Sequence, residues 1–135
     1  MRSGLPIKMG KKILLIDDDK LVLLTVKRLL AREGYVVITA MTGSGAMRRM
    51  EDDDFDLIIS DIKMPGMDGV ETVKKIRKLV AQKHHPAIPE IFITGYAAEG
   101  IYQEAKSLNA AGYIEKPFDV KSLLQSVKTA IKSYN

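Results

Sequence analysis

The segment Lys12-Ile13-Leu14-Leu15-Ile16 is apolar throughout its interior and stops at three aspartates, Asp17-Asp18-Asp19. A short run that is apolar on both faces predicts a strand buried in a parallel sheet. Over residues 20–33 the spacing changes. Val22, Val26, Leu29 and Leu30 recur at helical intervals with Leu23 beside them, and Gly34 follows as a stop. Tyr35-Val36-Val37-Ile38-Thr39 is β-branched and aromatic and predicts a second strand. Residues 44–51 then carry Ala46, Met47 and Met50 at helical spacing.

The alternation continues. Leu57-Ile58-Ile59-Ser60 ends on Asp61, turn residues fill 63–69, and Val70, Val73, Ile76 and Val80 predict a third helix closed by the loop His84-His85-Pro86-Ala87-Ile88-Pro89. Ile91-Phe92-Ile93-Thr94 is a fourth strand, residues 101–108 a short helix with Ala105 and Leu108 inward, and Tyr113-Ile114 a brief fifth strand. Asp119 reads as the N-cap of a last helix with Val120, Leu123, Leu124, Val127 and Ile131 on one face. Five strands alternating with five helices predict an α/β fold. Its sheet is five-stranded and parallel, in the flavodoxin-like order 2-1-3-4-5, with helices on both faces.

Composition narrows this picture without changing it. At 135 residues the chain is one domain, and 46% hydrophobic with 28% charged residues excludes disordered and fibrous classes. The absence of cysteine excludes disulfides, thiolate metal sites and cysteine nucleophiles. No apolar run approaches the ~20 residues needed to span a bilayer. Residues 1–10 lack the apolar segment of a secretory signal and read as a disordered leader or expression remnant, with Met9 an alternative start and residues 11–135 the domain. The net charge is +4, but Arg2 and Lys8 lie in that leader and the other basic residues are dispersed among acids. Direct nucleic-acid binding is therefore not expected. A cytoplasmic setting is.

In a sheet of this order ligands sit at the carboxyl ends of the strands, at the switch point. The residues predicted there are Asp17 and Asp18, Asp61, Thr94 and, just past the last strand, Lys116. Crowded carboxylates repel one another unless a hard cation shares them, and Mg²⁺, or Mn²⁺ in its stead, suits oxygen ligands. With a hydroxyl and an ammonium nearby, such a set suits a phosphoryl group attacked in line by a carboxylate. The residues point to an aspartyl-phosphate site.

Four motifs, ILLIDDD at 13–19, LIISDIKMPGMDG at 57–69, IFITG at 91–95 and YIEKPFD at 113–119, together resemble the receiver domain of two-component response regulators. The resemblance spans residues 11–133 and is similar to both chemotaxis-type and nitrogen-regulator-type receivers, the latter preceding an ATPase domain. It implies that Asp61 is the phosphoacceptor and that Asp17, Asp18, Asp61 and the backbone carbonyl of Lys63 hold the metal. Thr94 and Lys116 would each meet a phosphoryl oxygen. Lys116-Pro117 matches the family's cis peptide, and Thr94 with Tyr113 matches its switch pair. Gly95 falls where the family keeps a small side chain, and Lys63 and Tyr96 where it tunes dephosphorylation; bulky Tyr96 is expected to hinder the attacking water.

The resemblance further implies a phosphodonor, either a histidine kinase or a phosphotransfer protein. It also implies a partner surface including Tyr102, Lys106, Tyr113, Lys121 and Gln125, which recognises a downstream effector. The only catalysis expected is the chain's own phosphorylation and dephosphorylation, in a monomer or a phosphorylation-dependent dimer, as a stand-alone receiver or part of a larger regulator or hybrid kinase. Two other readings stay open at this point. One is a phosphohydrolase resembling the haloacid-dehalogenase group with Asp17 as nucleophile; the other is a receiver-like interaction module that is never phosphorylated. Elsewhere plainer roles are expected: Asp19 as an N-cap, Asp52-Asp53-Asp54 and Asp56 as a solvated loop, His84 and His85 as surface loop, and Met47, Met50, Met64 and Met67 as packing.

Overall fold

The computed structural model describes residues 10–95 and 99–133, with backbone alone for 99–102 and 133. Its elements run β1 (Lys12–Ile16), α1 (Lys20–Arg32), β2 (Val36–Ala40), α2 (Gly43–Asp52), β3 (Leu57–Asp61), α3 (Gly69–Gln82), β4 (Glu90–Thr94), α4 (Glu99–Ser107), β5 (Gly112–Glu115) and α5 (Val120–Ser133). The strands form one sheet in the order β2-β1-β3-β4-β5, every pairing parallel. This is the expected architecture.

Because successive side chains on a strand point to opposite faces, β1 feeds two cores. Ile13 and Leu15 join Leu23, Val26 and Leu30 of α1 and Leu123 and Val127 of α5, while Leu14 and Ile16 join Ala46 and Met50 of α2 and Ile76 and Val80 of α3. A smaller cluster of Ile62, Val70, Val73, Phe92 and Ala105 seats α4. No described helix is long and apolar enough to cross a membrane.

Local capping follows the sequence. Asp19 accepts hydrogen bonds from the amides of Leu21 (2.9 Å) and Val22 (3.3 Å), and Asp119 from that of Ser122 (2.7 Å), satisfying donors that a helix start leaves orphaned. After α3, His84 takes φ 56°, the left-handed turn more often given to glycine, and its amide returns to the Ala81 carbonyl at 3.1 Å.

Three expectations need correction. Leu23 is fully in the core while Val22 and Leu29 only pack against it, so the buried stripe of α1 is rotated slightly from the one expected. Val120 is 46% exposed, because the chain enters α5 with Phe118 turned onto the core instead, and the buried face is Leu123, Val127, Ala130 and Ile131. The acidic segment is not simply solvated: Asp53 pairs with Lys12 Nζ at 2.8 Å, and the Asp56 carboxylate accepts from the Lys12 amide at 2.7 Å. These contacts pin the loop to the start of β1.

Candidate functional site

Register brings the site together. Ile16 lies beside Ser60, Asp61 beside Ile93 and Thr94 beside Glu115, so the residues that end β1, β3, β4 and β5 share one edge of the sheet. Asp17 is wholly buried there, Asp61 is buried, and Asp18 is exposed at the mouth. One carboxylate oxygen from each lies within 4.8 Å of the others. An all-oxygen set of this kind, open on one side, fits a hard divalent cation with retained waters. Among the described residues no other group of acids and histidines does so.

Lys116 closes the opposite flank. Its Nζ donates to Asp17 Oδ2 at 3.2 Å and to Asp61 Oδ2 at 3.5 Å, while Asp17 Oδ1 accepts from the Asp19 amide at 2.9 Å. One cation facing three carboxylates leaves the site short of positive charge. Burial, then repulsion from Asp17, push the Asp61 carboxyl up to about 6; Lys116 opposes the rise and Asp18 adds to it. Burial alone would lower the Lys116 ammonium, but attraction to Asp61 and Asp17 outweighs it and leaves the group raised.

Thr94 is buried and its hydroxyl donates to the Gly95 carbonyl at 3.2 Å. A Cβ on Gly95 would have Lys116 Cδ as its nearest neighbour, at 4.0 Å, so this side of the crevice is open. The Lys116-Pro117 peptide is cis, as the resemblance implied. Gly69 has a different reason to be glycine: a Cβ there would lie 2.0 Å from the Asp61 carbonyl oxygen, so α3 can start against the Asp61 backbone only without a side chain. Asp68 caps that start by accepting from the Glu71 amide at 2.9 Å. Lys63 is exposed in the intervening loop.

Tyr113 is half-buried. Its hydroxyl donates to the Ala105 carbonyl at 2.8 Å and accepts from the Ala110 amide at 3.3 Å, and its ring stacks on Phe92 with centroids 6.0 Å apart. Lys106, Lys121 and Gln125 are exposed. Tyr96 and residues 1–9 of the leader lie outside the described residues, as does the side chain of Tyr102.

The chain matches the family model for the response regulator receiver domain over residues 13–128. It is 32% identical to sporulation initiation phosphotransferase F of Bacillus subtilis over 89% of this chain and 93% of that one. It is 34% identical to the transcriptional regulatory protein ZraR of Escherichia coli, of which it spans only 26%. A crystal structure of a CheY-like receiver domain protein from Methanospirillum hungatei superposes with a TM-score of 0.83 at 34% identity, covering 93% of this chain and 96% of that one. The chain belongs to the receiver domains of two-component response regulators, whose members are phosphoacceptor switches.

The hydrolase alternative fails with that assignment.

Some residues escaped the sequence. Leu21 and Leu24 on α1 are 72% and 58% exposed, and with Val120 they supply exposed apolar side chains on the helices that begin just after Asp19 and Asp119. A signal existed: Leu21 and Leu24 fall outside the apolar stripe of α1 yet are leucine. Arg77 and Glu90 escaped because they stand thirteen positions apart on different elements and meet only in the folded chain.

Proposed function

We propose that Asp61 accepts a phosphoryl group and that the resulting charge resets Thr94, Tyr113 and the surface of α4, β5 and α5. The observation that carries this reading is the Lys116 ammonium spanning Asp17 and Asp61 at 3.2 and 3.5 Å, with Asp18 at the same mouth. A deprotonated Asp61 oxygen attacks phosphorus; the bond to a histidine nitrogen of the donor breaks as the bond to Asp61 forms. Asp17, Asp18, Asp61 and the Lys63 carbonyl would hold Mg²⁺, with Mn²⁺ a substitute, and the bound ion supplies neutralisation of the phosphoryl oxygens. Lys116 pairs with one of those oxygens. Thr94 turns its hydroxyl from Gly95 to another, which links the phosphoryl group to the start of the segment leading into α4.

The donor is a histidine kinase or a phosphotransfer protein, and Leu21, Leu24 and Val120 are where it covers apolar side chains while reaching Asp61. The recipient is an effector protein or domain that recognises Lys106, Tyr113, Lys121 and Gln125. The catalysis is confined to the chain's own phosphorylation and its reversal. Residues 11–135 form the working unit, and its setting is cytoplasmic.

Intact mass after incubation with Mg²⁺ and acetyl phosphate tests the reading. One phosphoryl adduct in wild type, absent in Asp61→Asn, is expected. An adduct that survives in Asp61→Asn and disappears in Asp17→Asn would overturn it, as would no adduct together with no binding of beryllofluoride.

A further inference from the structure

At the end of the sheet opposite the aspartates, Arg77 of α3 grips Glu90, the first residue of β4. Arg77 Nε and Nη2 lie 2.8 Å from the two carboxylate oxygens, and the same Nη2 donates to the Leu108 carbonyl, just past α4, at 2.7 Å. The Glu90 side chain is only 5% exposed. Its backbone carbonyl accepts from the Ala111 amide at 2.8 Å, so one pair of residues holds the chain leaving α4 at Leu108 and again at Ala111. A cavity of about 440 Å³ flanks the pair, lined by Ile76, Val80, Ile88 and Leu108 among others. With open volume on that flank, hydrogen bonds rather than packing orient the guanidinium.

On its other side the same stretch is held by Tyr113, through Ala105 and Ala110. The two attachments are unequal. The bond from Arg77 to the Leu108 carbonyl has an ionised donor, which makes it roughly twice as strong as a neutral one, and the bidentate grip on Glu90 fixes its direction. If α4 is displaced from its Thr94 end, the Tyr113 bond is the one that yields.

We propose that Arg77, oriented by Glu90, is a positioning residue that makes the C-terminal end of α4 a fixed pivot, so that a change at Thr94 is read out as movement of Tyr113 and not as loosening of the whole helix. This rests on the phosphoryl-switch reading above. Without the pivot α4 would shift as a body, and less of the displacement would reach the tyrosine.

Arg77→Lys is the informative variant. It keeps a cation beside the buried Glu90 but lacks the fork needed to hold the carboxylate and the Leu108 carbonyl together. Should it fold poorly, Arg77→Met/Glu90→Gln removes both charges at once.

The measurement is amide hydrogen exchange and the Tyr113 ring resonances of the full chain, with and without Mg²⁺ and beryllofluoride. In wild type the Ala111 amide should keep its exchange rate within about twofold on beryllofluoride binding while the Tyr113 ring signals shift. In the variant Ala111 should exchange about tenfold faster, and the Tyr113 shift at saturating beryllofluoride should fall to half or less. A full Tyr113 shift in the variant, even with lowered stability, would reduce Arg77 to a structural role and overturn the proposal; so would loss of Ala111 protection in wild type on binding. Failure of wild type to bind beryllofluoride would overturn the switch reading as well, and is distinguishable because no resonance would move.

Discussion

The two ends of the sheet both bury carboxylates, and they balance the charge differently. At the lower end Glu90 meets one arginine in a bidentate pair. At the upper end Asp17 and Asp61 share one lysine at 3.2 and 3.5 Å, with the Asp18 carboxylate close by. A buried pair with matched charge and satisfied oxygens is a structural feature, whereas a deficit of positive charge among clustered carboxylates suits a site able to hold a metal ion. The difference is visible in Asp61, whose carboxyl is driven up to about 6 by burial and by its acidic neighbour.

Breaking the lower pair should have the larger thermodynamic effect. Arg77→Ala leaves Glu90 buried without its arginine and should cost about 2–3 kcal/mol, below the ~3–5 kcal/mol of a fully buried pair because Arg77 itself is partly exposed. Chemical denaturation of the variant measures it, and a loss below about 0.5 kcal/mol would equate the two ends.

The upper end should respond in the opposite direction. In metal-free buffer at pH 7, Asp61→Asn should raise stability by roughly 1–2 kcal/mol, about half of what the full shift converts to, because the site is open to water on one side. The sign follows from linkage: with its folded carboxyl raised from 3.8 to about 6, Asp61 binds more protons folded than unfolded between those values. Wild-type stability should therefore fall as pH rises from 4 through 6 relative to Asp61→Asn, and parallel denaturation curves across that window would contradict it.

Surface changes sharpen the contrast further. Leu21→Lys with Leu24→Lys should slow phosphoryl transfer from a phosphorylated histidine donor by about tenfold while leaving the rate with acetyl phosphate unchanged, since only a protein donor must cover α1. Stopped transfer assays with both donors check this; an equal slowing with both would move the effect to the site itself.

The smallest expected effect is that of the metal. Mg²⁺ at ten times its dissociation constant should stabilise wild type by about 1.4 kcal/mol, a rise of a few degrees in Tm, and should not stabilise Asp61→Asn to the same extent. Chelation should remove this gain and restore the metal-free difference between the two proteins.

Much of the upper end was legible in the chain. Each acid there terminates an apolar run, so the same pattern that marks the strand marks the position of Asp17, Asp61 and Thr94 at its end. Caps such as Asp19 and Asp119 were legible because a cap acts within three residues. The lower end was not. Glu90 stands outside the apolar run of β4, and nothing in the local spacing joins it to Arg77, thirteen positions earlier on the preceding helix.

The sequence alone determined the alternation of strands and helices, the two-sided burial of β1, β3 and β4, and the row of polar residues at the strand ends, because periods of two and 3.6 are local properties of the backbone. Tertiary structure decided which polar groups met. It set Lys12 on Asp53, Arg77 on Glu90 and Leu108, Tyr113 on Ala105, and the Thr94 hydroxyl on Gly95, and it left Val120 outside the core. Such bonds are directional and short-ranged, and their partners come from separate segments or from competing choices within one segment. Only the packed sheet and its helices bring the donors and acceptors within reach.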